Sequence, residues 1–245
     1  RIPGVVVFPM IKYILFDMDG VLVDAREWHY DALNRALQLF GYKISRFDHL
    51  ETYDGLPTKT KLHMLSKEKS FPKGLHPFVS TLKQKYTVEI IHRECRPTFQ
   101  HLYALSRLKA DGYGIAICSN SIRRTMDLML GYSGIAEFAD FYISNEDVSK
   151  PKPDPEVYTS AMEKFGAHPS ECLIVEDNPN GIKAAMAAGG HLLRVQGVDE
   201  VSYTNIKETI RTISAGLGHD PDSYPARRQV DVLHVDRVPL SQAAH

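Results

Sequence analysis

Short apolar runs alternate with longer helical patterns over most of the chain. Five of these runs end at polar residues, which is typical of buried strands; they cover residues 12–17, 114–119, 140–144, 172–176 and 191–195. Patterns with helical periodicity lie between them, at about 98–110, 121–131, 155–166 and 179–188. Because a strand, a helix and a second strand in succession form a parallel crossover, we predict a parallel sheet with helices on both faces.

This arrangement defines the expected fold class as α/β, a Rossmann-like sheet of about five strands. The connection between the first two strands, residues 18–113, is far longer than an ordinary loop and contains helical patterns at about 26–40, 58–67 and 76–95. A connection of that length should carry structure of its own. We therefore predict an α-helical cap domain over 24–96, inserted into a core domain made of 10–23 and 97–215.

The two ends of the chain fall outside this plan. Residues 216–245 mix Gly, Pro, Arg and His around one alternating patch at 230–235. We predict a poorly ordered C-terminal extension there, with an added edge strand as the alternative. Residues 1–9 precede Met10, and one hypothesis is that Met10 is the natural start.

Charge and composition narrow the possible partners and compartment. The net charge is -1, so no basic field favours nucleic acid and no polybasic segment favours anionic lipid. No apolar run approaches the length of a membrane-spanning helix. The three cysteines show no metal-binding spacing, which fits a reducing compartment. We expect a cytoplasmic protein, monomeric by default, that acts on a small molecule.

Polar side chains follow the predicted strands where the carboxyl ends of a parallel sheet meet, which is the usual ligand site of such sheets. They are Asp17, Asp19, Ser119, Asn120, Lys150, Glu176 and Asp177. Converging carboxylates repel one another unless a cation lies among them, and oxygen ligands favour Mg²⁺. Mg²⁺ together with a lysine suits a dianionic phosphoryl group.

Four segments at these strand ends resemble, in order and spacing, the four motifs of the haloacid dehalogenase-like superfamily. They are Asp-Met-Asp-Gly-Val-Leu-Val-Asp at 17–24, Ile-Cys-Ser-Asn at 117–120, Ser-Lys-Pro-Lys-Pro-Asp-Pro at 149–155 and Ile-Val-Glu-Asp-Asn-Pro-Asn-Gly at 174–181. The resemblance covers about 12–196 and is strongest to the sugar-phosphate phosphatases and β-phosphoglucomutases.

The resemblance implies a role for each residue at the first two strand ends. Asp17 would attack phosphorus and form an aspartyl-phosphate. Asp19 would protonate the leaving oxygen and then act as the base toward water. Gly20 would allow the sharp turn. Ser119, with neighbouring backbone amides such as that of Asn120, would hold phosphoryl oxygens.

The third and fourth motifs imply a cation and a metal site. The family pattern Lys-Pro-x-Pro-Asp selects Lys150 over Lys152 as the lysine that neutralises the nucleophile and the phosphoryl group. The implied cofactor is Mg²⁺. Its ligands would be Asp17, the backbone carbonyl of Asp19 and Asp177, with Glu176 as a ligand or as a partner of one.

The cap supplies the remaining candidates. His29 follows the hinge, where relatives place a histidine near the general acid, although a packing or solvent-facing histidine is the alternative. The loop at 53–60 resembles the substrate-specificity loop of the family. Within that loop Gly55 would permit the bend, and Thr58 and Lys59 are candidates for contact with substrate.

The expected function is that of a Mg²⁺-dependent phosphatase for a small phosphorylated metabolite, with a sugar phosphate as the expected substrate. A β-phosphoglucomutase-like enzyme is the alternative, disfavoured because Thr58 stands where those mutases carry an arginine and Ile122 where they carry a lysine. A dehalogenase is disfavoured by the presence of Asp19, and no cap lysine is singled out for phosphonate cleavage. A non-enzymatic binding module is a further alternative, but no catalytic carboxylate is missing.

Overall fold

A computed structural model describes residues 10–216 of the chain. The predictions for residues 1–9 and for the extension beyond residue 216 lie outside the described residues.

Five parallel strands form one sheet, as the apolar runs predicted. They are β1 (Tyr13–Phe16), β2 (Gly114–Cys118), β3 (Phe141–Ile143), β4 (Cys172–Glu176) and β5 (His191–Arg194), in the order β3-β2-β1-β4-β5. Phe16 pairs with Ile117 on one side and with Val175 on the other. The three central strands therefore end together, and the residues that follow them share one edge of the sheet.

The helices are α1 (Arg26–Gln38), α2 (Arg46–Asp48), α3 (Thr58–Lys69), α4 (His76–Glu94), α5 (Phe99–Ala110), α6 (Arg123–Tyr132), α7 (Glu156–Phe165), α8 (Pro179–Ala188) and α9 (Tyr203–Ser214). A π-helical turn, His49–Tyr53, continues α2. Among the described residues, no helix combines the length and the apolarity needed to cross a bilayer.

Alternate residues of each strand point to opposite faces of the sheet, and each face has its own apolar layer. Ile14 and Phe16 belong to the layer that also contains buried residues of α5, α6 and α9. Leu15 belongs to the layer formed with α7 and α8. Helices thus cover both faces, which confirms the predicted fold class.

Helix α9 was not predicted, although its pattern carries the signal. Ile206, Ile210 and Ile213 are buried at helical spacing, and the Ser202 side chain accepts a hydrogen bond from the Asn205 amide at the start of the helix. An amphipathic stripe after an N-cap serine is an ordinary helix signature.

Helices α1 to α4 form the predicted cap over the strand ends. They bury a third apolar cluster, separate from the two layers of the sheet, which includes Leu33, Leu37, Leu62, Leu65 and Val79. The inserted helical cap is therefore confirmed as part of the fold, whereas the exact boundaries 24 and 96 stay a prediction.

Candidate active site

Asp17 lies directly beyond β1, where its backbone amide still donates to the carbonyl of Val175 at 3.0 Å. The sheet therefore places its carboxylate at the centre of the strand ends. The side chain is buried, and burial raises the pKa of Asp17 well above its ordinary value, while the charge of Lys152 opposes that shift. A carboxylate in this place stays ionised only if cations surround it.

The lysine that contacts Asp17 is Lys152, so the expectation that Lys150 occupies this position is wrong. Lys152 Nζ lies 2.6 Å from Asp17 Oδ1 and 2.6 Å from Glu176 Oε1. Burial lowers the pKa of Lys152, but the two carboxylates raise it by a larger amount. The pKa of Lys152 therefore lies above its ordinary value, and the ammonium is charged. The Lys150 side chain is 74% exposed and lies 4.0 Å from Asp154.

The local fold explains the error of two positions. The segment contains Lys-Pro-x-Pro twice, beginning at Lys150 and at Lys152, so the short pattern cannot select between them. The Glu156 carboxylate, at the start of α7, accepts hydrogen bonds from the Ser149 and Lys150 amides and holds that part of the loop at the surface. The run Lys-Pro-Asp-Pro-Glu that directly enters the helix was the signal for Lys152.

Asn120 positions the Lys152 backbone and also reaches the cap. Its Oδ1 accepts the Lys152 amide at 2.9 Å, and its Nδ2 donates to the Lys152 carbonyl at 3.1 Å and to the Gly55 carbonyl at 2.9 Å. These contacts make Asn120 a positioning residue at the edge of the cavity. Direct contact between Asn120 and a phosphoryl group stays a prediction.

Asp19 is held by three side chains. Its Oδ1 lies 2.9 Å from His29 Nε2, and its Oδ2 accepts hydrogen bonds from Ser119 Oγ at 2.9 Å and Ser121 Oγ at 3.0 Å. Burial raises the pKa of Asp19, but His29 and the two serines outweigh it and bring the pKa to about 2. Asp19 is therefore a carboxylate at neutral pH in this state.

Ser119 bonds to Asp19 and does not line the cavity, whereas Ser121 bonds to Asp19 and also lines the cavity. The buried Ser119 hydroxyl donates to Asp19 and accepts the Ser121 amide at 2.9 Å. The expected role of Ser119 in holding phosphoryl oxygens remains a prediction. Ser121 lines the cavity and was missed, because the resemblance ended at Asn120.

His29 is located where the resemblance placed it, and it joins the core to the cap. Its second ring nitrogen, Nδ1, lies 3.0 Å from Lys83 Nζ on α4. Burial lowers the pKa of His29, and the charge of Lys83 lowers it further. A neutral ring that donates from Nε2 to Asp19 and accepts at Nδ1 from Lys83 satisfies both contacts.

The carboxylates of Asp17, Glu176 and Asp177 bring one oxygen each to within 4.8 Å of one another. Asp177 Oδ1 is buried without a hydrogen-bond partner among the described residues, whereas Oδ2 contacts the Arg26 guanidinium. Burial raises the pKa of Asp177 to about 7, with Glu176 adding to the shift and Arg26 opposing it. An unpartnered buried carboxylate oxygen in such a set fits a hard divalent cation such as Mg²⁺.

Glu176 has less freedom to bind a metal than Asp17 and Asp177. Its Oε1 accepts hydrogen bonds from Lys152 and from the Tyr158 hydroxyl at 2.6 Å, and its Oε2 accepts the Asp177 amide at 3.0 Å. These contacts favour the second of the two roles implied by the resemblance, that of a partner which orients other groups. Gly181 makes room for it, since a Cβ there would lie 1.8 Å from Glu176 Oε1.

Two glycines keep the site compact. Gly20 has a φ of +92°, and a Cβ would lie 2.2 Å from Asp177 Oδ2. Gly55, in the cap loop, has a φ of +70°, and a Cβ would lie 2.4 Å from Asn178 Oδ1. Only glycine adopts a positive φ without strain and also leaves room for a neighbouring side chain where a Cβ would stand. The Gly55 loop thus lies directly on the core.

A cavity of about 370 Å³ separates the cap from the strand ends. Thr58 and Lys59 line it, as the loop resemblance predicted, although contact with a substrate stays a prediction. Two further lysines of the cap, Lys61 and Lys83, also line it and were missed. Helical periodicity does not say which of several lysines turns inward.

A family model described as haloacid dehalogenase-like hydrolase matches residues 14–195. The chain belongs to this family, which confirms the resemblance drawn from the four motifs.

Individual relatives agree with this assignment. The chain is 27% identical over 238 residues to the pyrophosphatase PpaX of Bacillus velezensis, covering 93% of this chain and 97% of that one. It is 25% identical to the phosphorylated carbohydrates phosphatase of Thermotoga maritima, covering 77% and 85%. The expected enzyme class, a phosphoric monoester hydrolase of the haloacid dehalogenase-like type, is confirmed.

The solved structures show the same fold. A β-phosphoglucomutase from Clostridium difficile matches with a TM-score of 0.71 at 22% identity, covering 82% of this chain and 98% of that one. At this identity the similarity establishes the architecture and no more.

Proposed function

We propose that this protein is a Mg²⁺-dependent phosphatase that hydrolyses a small phosphorylated metabolite, of the sugar-phosphate kind, through an aspartyl-phosphate on Asp17. The observation that carries the proposal is the Asp17 carboxylate, buried at the end of the cavity with Lys152 Nζ at 2.6 Å. The names of the curated relatives, which include phosphatases for phosphorylated carbohydrates and phosphoglycolate, support the substrate class.

In the first step Asp17 Oδ2 attacks phosphorus, because Oδ1 is held by Lys152. The bond from phosphorus to the leaving oxygen breaks as the bond to Asp17 forms. Lys152 stays beside the nucleophile and offsets negative charge on the phosphoryl group. Mg²⁺, held by Asp17, Asp177 and the Asp19 carbonyl, would supply further neutralisation of the phosphoryl oxygens when bound.

The leaving oxygen takes its proton from Asp19. The negative charge of a bound phosphoryl group opposes ionisation of a nearby carboxylate, so substrate binding favours proton uptake by Asp19. In the second step Asp19, again ionised, accepts a proton from a water molecule as the water oxygen attacks phosphorus, and the bond from phosphorus to the Asp17 oxygen breaks. Asp17 and inorganic phosphate are released, and His29 holds the Asp19 carboxylate in place throughout.

The test is hydrolysis of 4-nitrophenyl phosphate with Mg²⁺, with EDTA, and after Mg²⁺ is restored. We expect turnover that EDTA abolishes reversibly, and no turnover by Asp17→Asn with an unchanged circular dichroism spectrum. Asp31→Asn, an exposed carboxylate on α1, is the matched control and should retain full activity. Turnover by Asp17→Asn would falsify the assignment of the nucleophile, and activity unaffected by EDTA would remove the metal from the proposal.

The mutase alternative is tested in the same preparation. A mutase would convert β-glucose 1-phosphate to glucose 6-phosphate, whereas the proposed phosphatase releases inorganic phosphate from a sugar monophosphate. Formation of glucose 6-phosphate at a rate above phosphate release would replace water by a sugar hydroxyl as the acceptor.

A further inference from the structure

Two lysines of the cap are buried at the cavity. Lys61 on α3 and Lys83 on α4 are each 6% exposed, and both line the space above the strand ends. Lysine is almost never buried to this degree without a partner of opposite charge. Lys67 and Lys85, on the same two helices, are exposed to solvent in the ordinary way.

Neither of these buried lysines has a carboxylate partner in the part of the chain that the structure describes. Lys83 Nζ contacts His29 Nδ1, a ring nitrogen, at 3.0 Å. The Lys61 ammonium makes no hydrogen bond and no ion pair with any residue from 10 to 216. Burial lowers the pKa of Lys61 to about 8 and the pKa of Lys83 to about 7, and the charge of Lys61 contributes to the second shift.

The two acids whose charges raise the pKa of Lys61, Asp54 and Asp19, are already engaged by other groups. Asp54 lies 3.3 Å from Arg26 Nε and 3.6 Å from His49 Nε2, and it accepts a hydrogen bond from Asn178 Nδ2 at 3.0 Å. Asp19 is held by His29 and two serines, as described above. The cap therefore presents positive charge to the cavity that no carboxylate among the described residues pairs with.

We propose that Lys61 and Lys83 bind a second anionic group of the substrate, a carboxylate or a second phosphoryl group. The preferred substrate is then a small metabolite with two anionic groups, here called doubly anionic, rather than the monophosphate of an uncharged sugar. This inference rests on the proposed function, since it assumes that the transferred phosphoryl group lies at Asp17.

The second anionic group lies close to the reacting one. A single imidazole ring, that of His29, separates Lys83 from the carboxylate of Asp19. Asp19 contacts the leaving oxygen in the proposed mechanism, so only a short spacer fits between that oxygen and the second anion. A cavity of about 370 Å³ agrees with a small metabolite.

The test compares kcat/KM for three substrates in the wild type and in Lys61→Met. They are 4-nitrophenyl phosphate, which has no second anion, 2-phosphoglycolate, which has a carboxylate, and ethane-1,2-diol bisphosphate, which has a second phosphoryl group on an equally short spacer. We expect the wild type to prefer one of the doubly anionic substrates. Lys61→Met should lower that preference, relative to 4-nitrophenyl phosphate, by about 10- to 100-fold, mainly through KM, which is the range for a lost charged hydrogen bond.

Two further variants make the result specific. Lys67→Met removes an exposed lysine of the same helix and should leave the preference unchanged. Lys61→Arg keeps the positive charge and should retain most of the preference for doubly anionic substrates. The doubly anionic substrate whose kcat/KM falls most in Lys61→Met identifies the second group as a carboxylate or as a phosphoryl group.

Failure of this inference is separable from failure of the proposed function. Hydrolysis of 4-nitrophenyl phosphate together with an unchanged preference in Lys61→Met would overturn the role of the lysines alone. If no phosphate ester is turned over, the role of the two lysines is tested by measuring ligand binding. Calorimetry with both doubly anionic substrates should then show weaker binding to Asp17→Asn/Lys61→Met than to Asp17→Asn, and equal affinities for both ligands would overturn the inference.

Discussion

The buried charges of the core and those of the cap are arranged in opposite ways. In the core, the Lys152 ammonium contacts two carboxylates, Asp17 and Glu176, and the Tyr158 hydroxyl at 2.8 Å. In the cap, Lys61 and Lys83 are also buried, but neither has a carboxylate partner within residues 10–216. The charge of Lys152 is thus paired before a ligand arrives, whereas the two lysines of the cap can still pair with an anionic group of a ligand.

The difference has an energetic meaning. A buried ion pair recovers much of its desolvation cost from its partner, but a buried ion without one does not. The cap offsets the cost of its lysines by the apolar cluster that includes Leu62 and Leu65, next to Lys61 on α3. An anionic group of the substrate that binds these lysines, as proposed above, would recover part of that cost.

The largest expected effect comes from breaking the paired charges of the core. Lys152→Met leaves Asp17 and Glu176 buried without their cation. We expect kcat/KM to fall by at least about 10³-fold, because electrostatic stabilisation is lost at the nucleophile. We also expect the free energy of unfolding to fall by about 3–5 kcal/mol. Kinetics with 4-nitrophenyl phosphate and urea denaturation measure the two effects.

Lys150→Met is the matched control, two residues away in the same loop. Because its side chain is exposed, activity should stay within about twofold and stability within about 0.5 kcal/mol. A large loss of activity in Lys150→Met, with little in Lys152→Met, would restore the original assignment.

The next effect concerns Lys61 in the cap, where the expected change in the free energy of unfolding has the opposite sign to that for Lys152→Met. Lys61→Met should raise the free energy of unfolding, because it removes a buried cation and keeps a side chain of similar length. A pKa lowered from 10.5 to about 8 corresponds to about 3 kcal/mol at pH 7.

The pH dependence of this gain follows from the direction of the shift. Between pH 8 and 10.5 the unfolded chain holds the Lys61 proton that the folded chain has released, so the wild type gains stability as the pH rises. The advantage of Lys61→Met in urea denaturation should therefore shrink from pH 7 to pH 10. Destabilisation by Lys61→Met, or an advantage independent of pH, would contradict this interpretation.

The smallest expected effect tests how closely cap and core must meet. Gly55→Ala places a methyl group against Asn178, whereas Gly41→Ala, at a φ of +76°, meets no atom within 4 Å. Both variants should lose about 1–2 kcal/mol of stability from the left-handed backbone. Only Gly55→Ala should also raise KM, by up to about tenfold, because the cap loop is displaced from the cavity. Equal KM values in the two variants would argue against this contact.

Much of the fold could be predicted because each strand and helix has its own local signal. The five apolar runs became the five strands, and the length of the connection after Asp17 indicated the cap. Helix α9 was not predicted, although Ile206 and Ile210 are buried at helical spacing, because it follows the last of the four motifs and carries none of the site residues. The positions of Asp17, Asp19 and Asp177 followed from their place after parallel strands, which all end at one edge.

The sequence by itself determined the strand ends, the carboxylates that follow them and the family. Only the tertiary structure decided that Lys152 rather than Lys150 contacts Asp17, that Ser119 bonds to Asp19, and that Lys61 and Lys83 turn inward. The physical reason is the same in each case. The direction of a side chain in a proline-rich loop or on a lysine-rich helix depends on what packs against it, and those contacts come from residues distant in the chain.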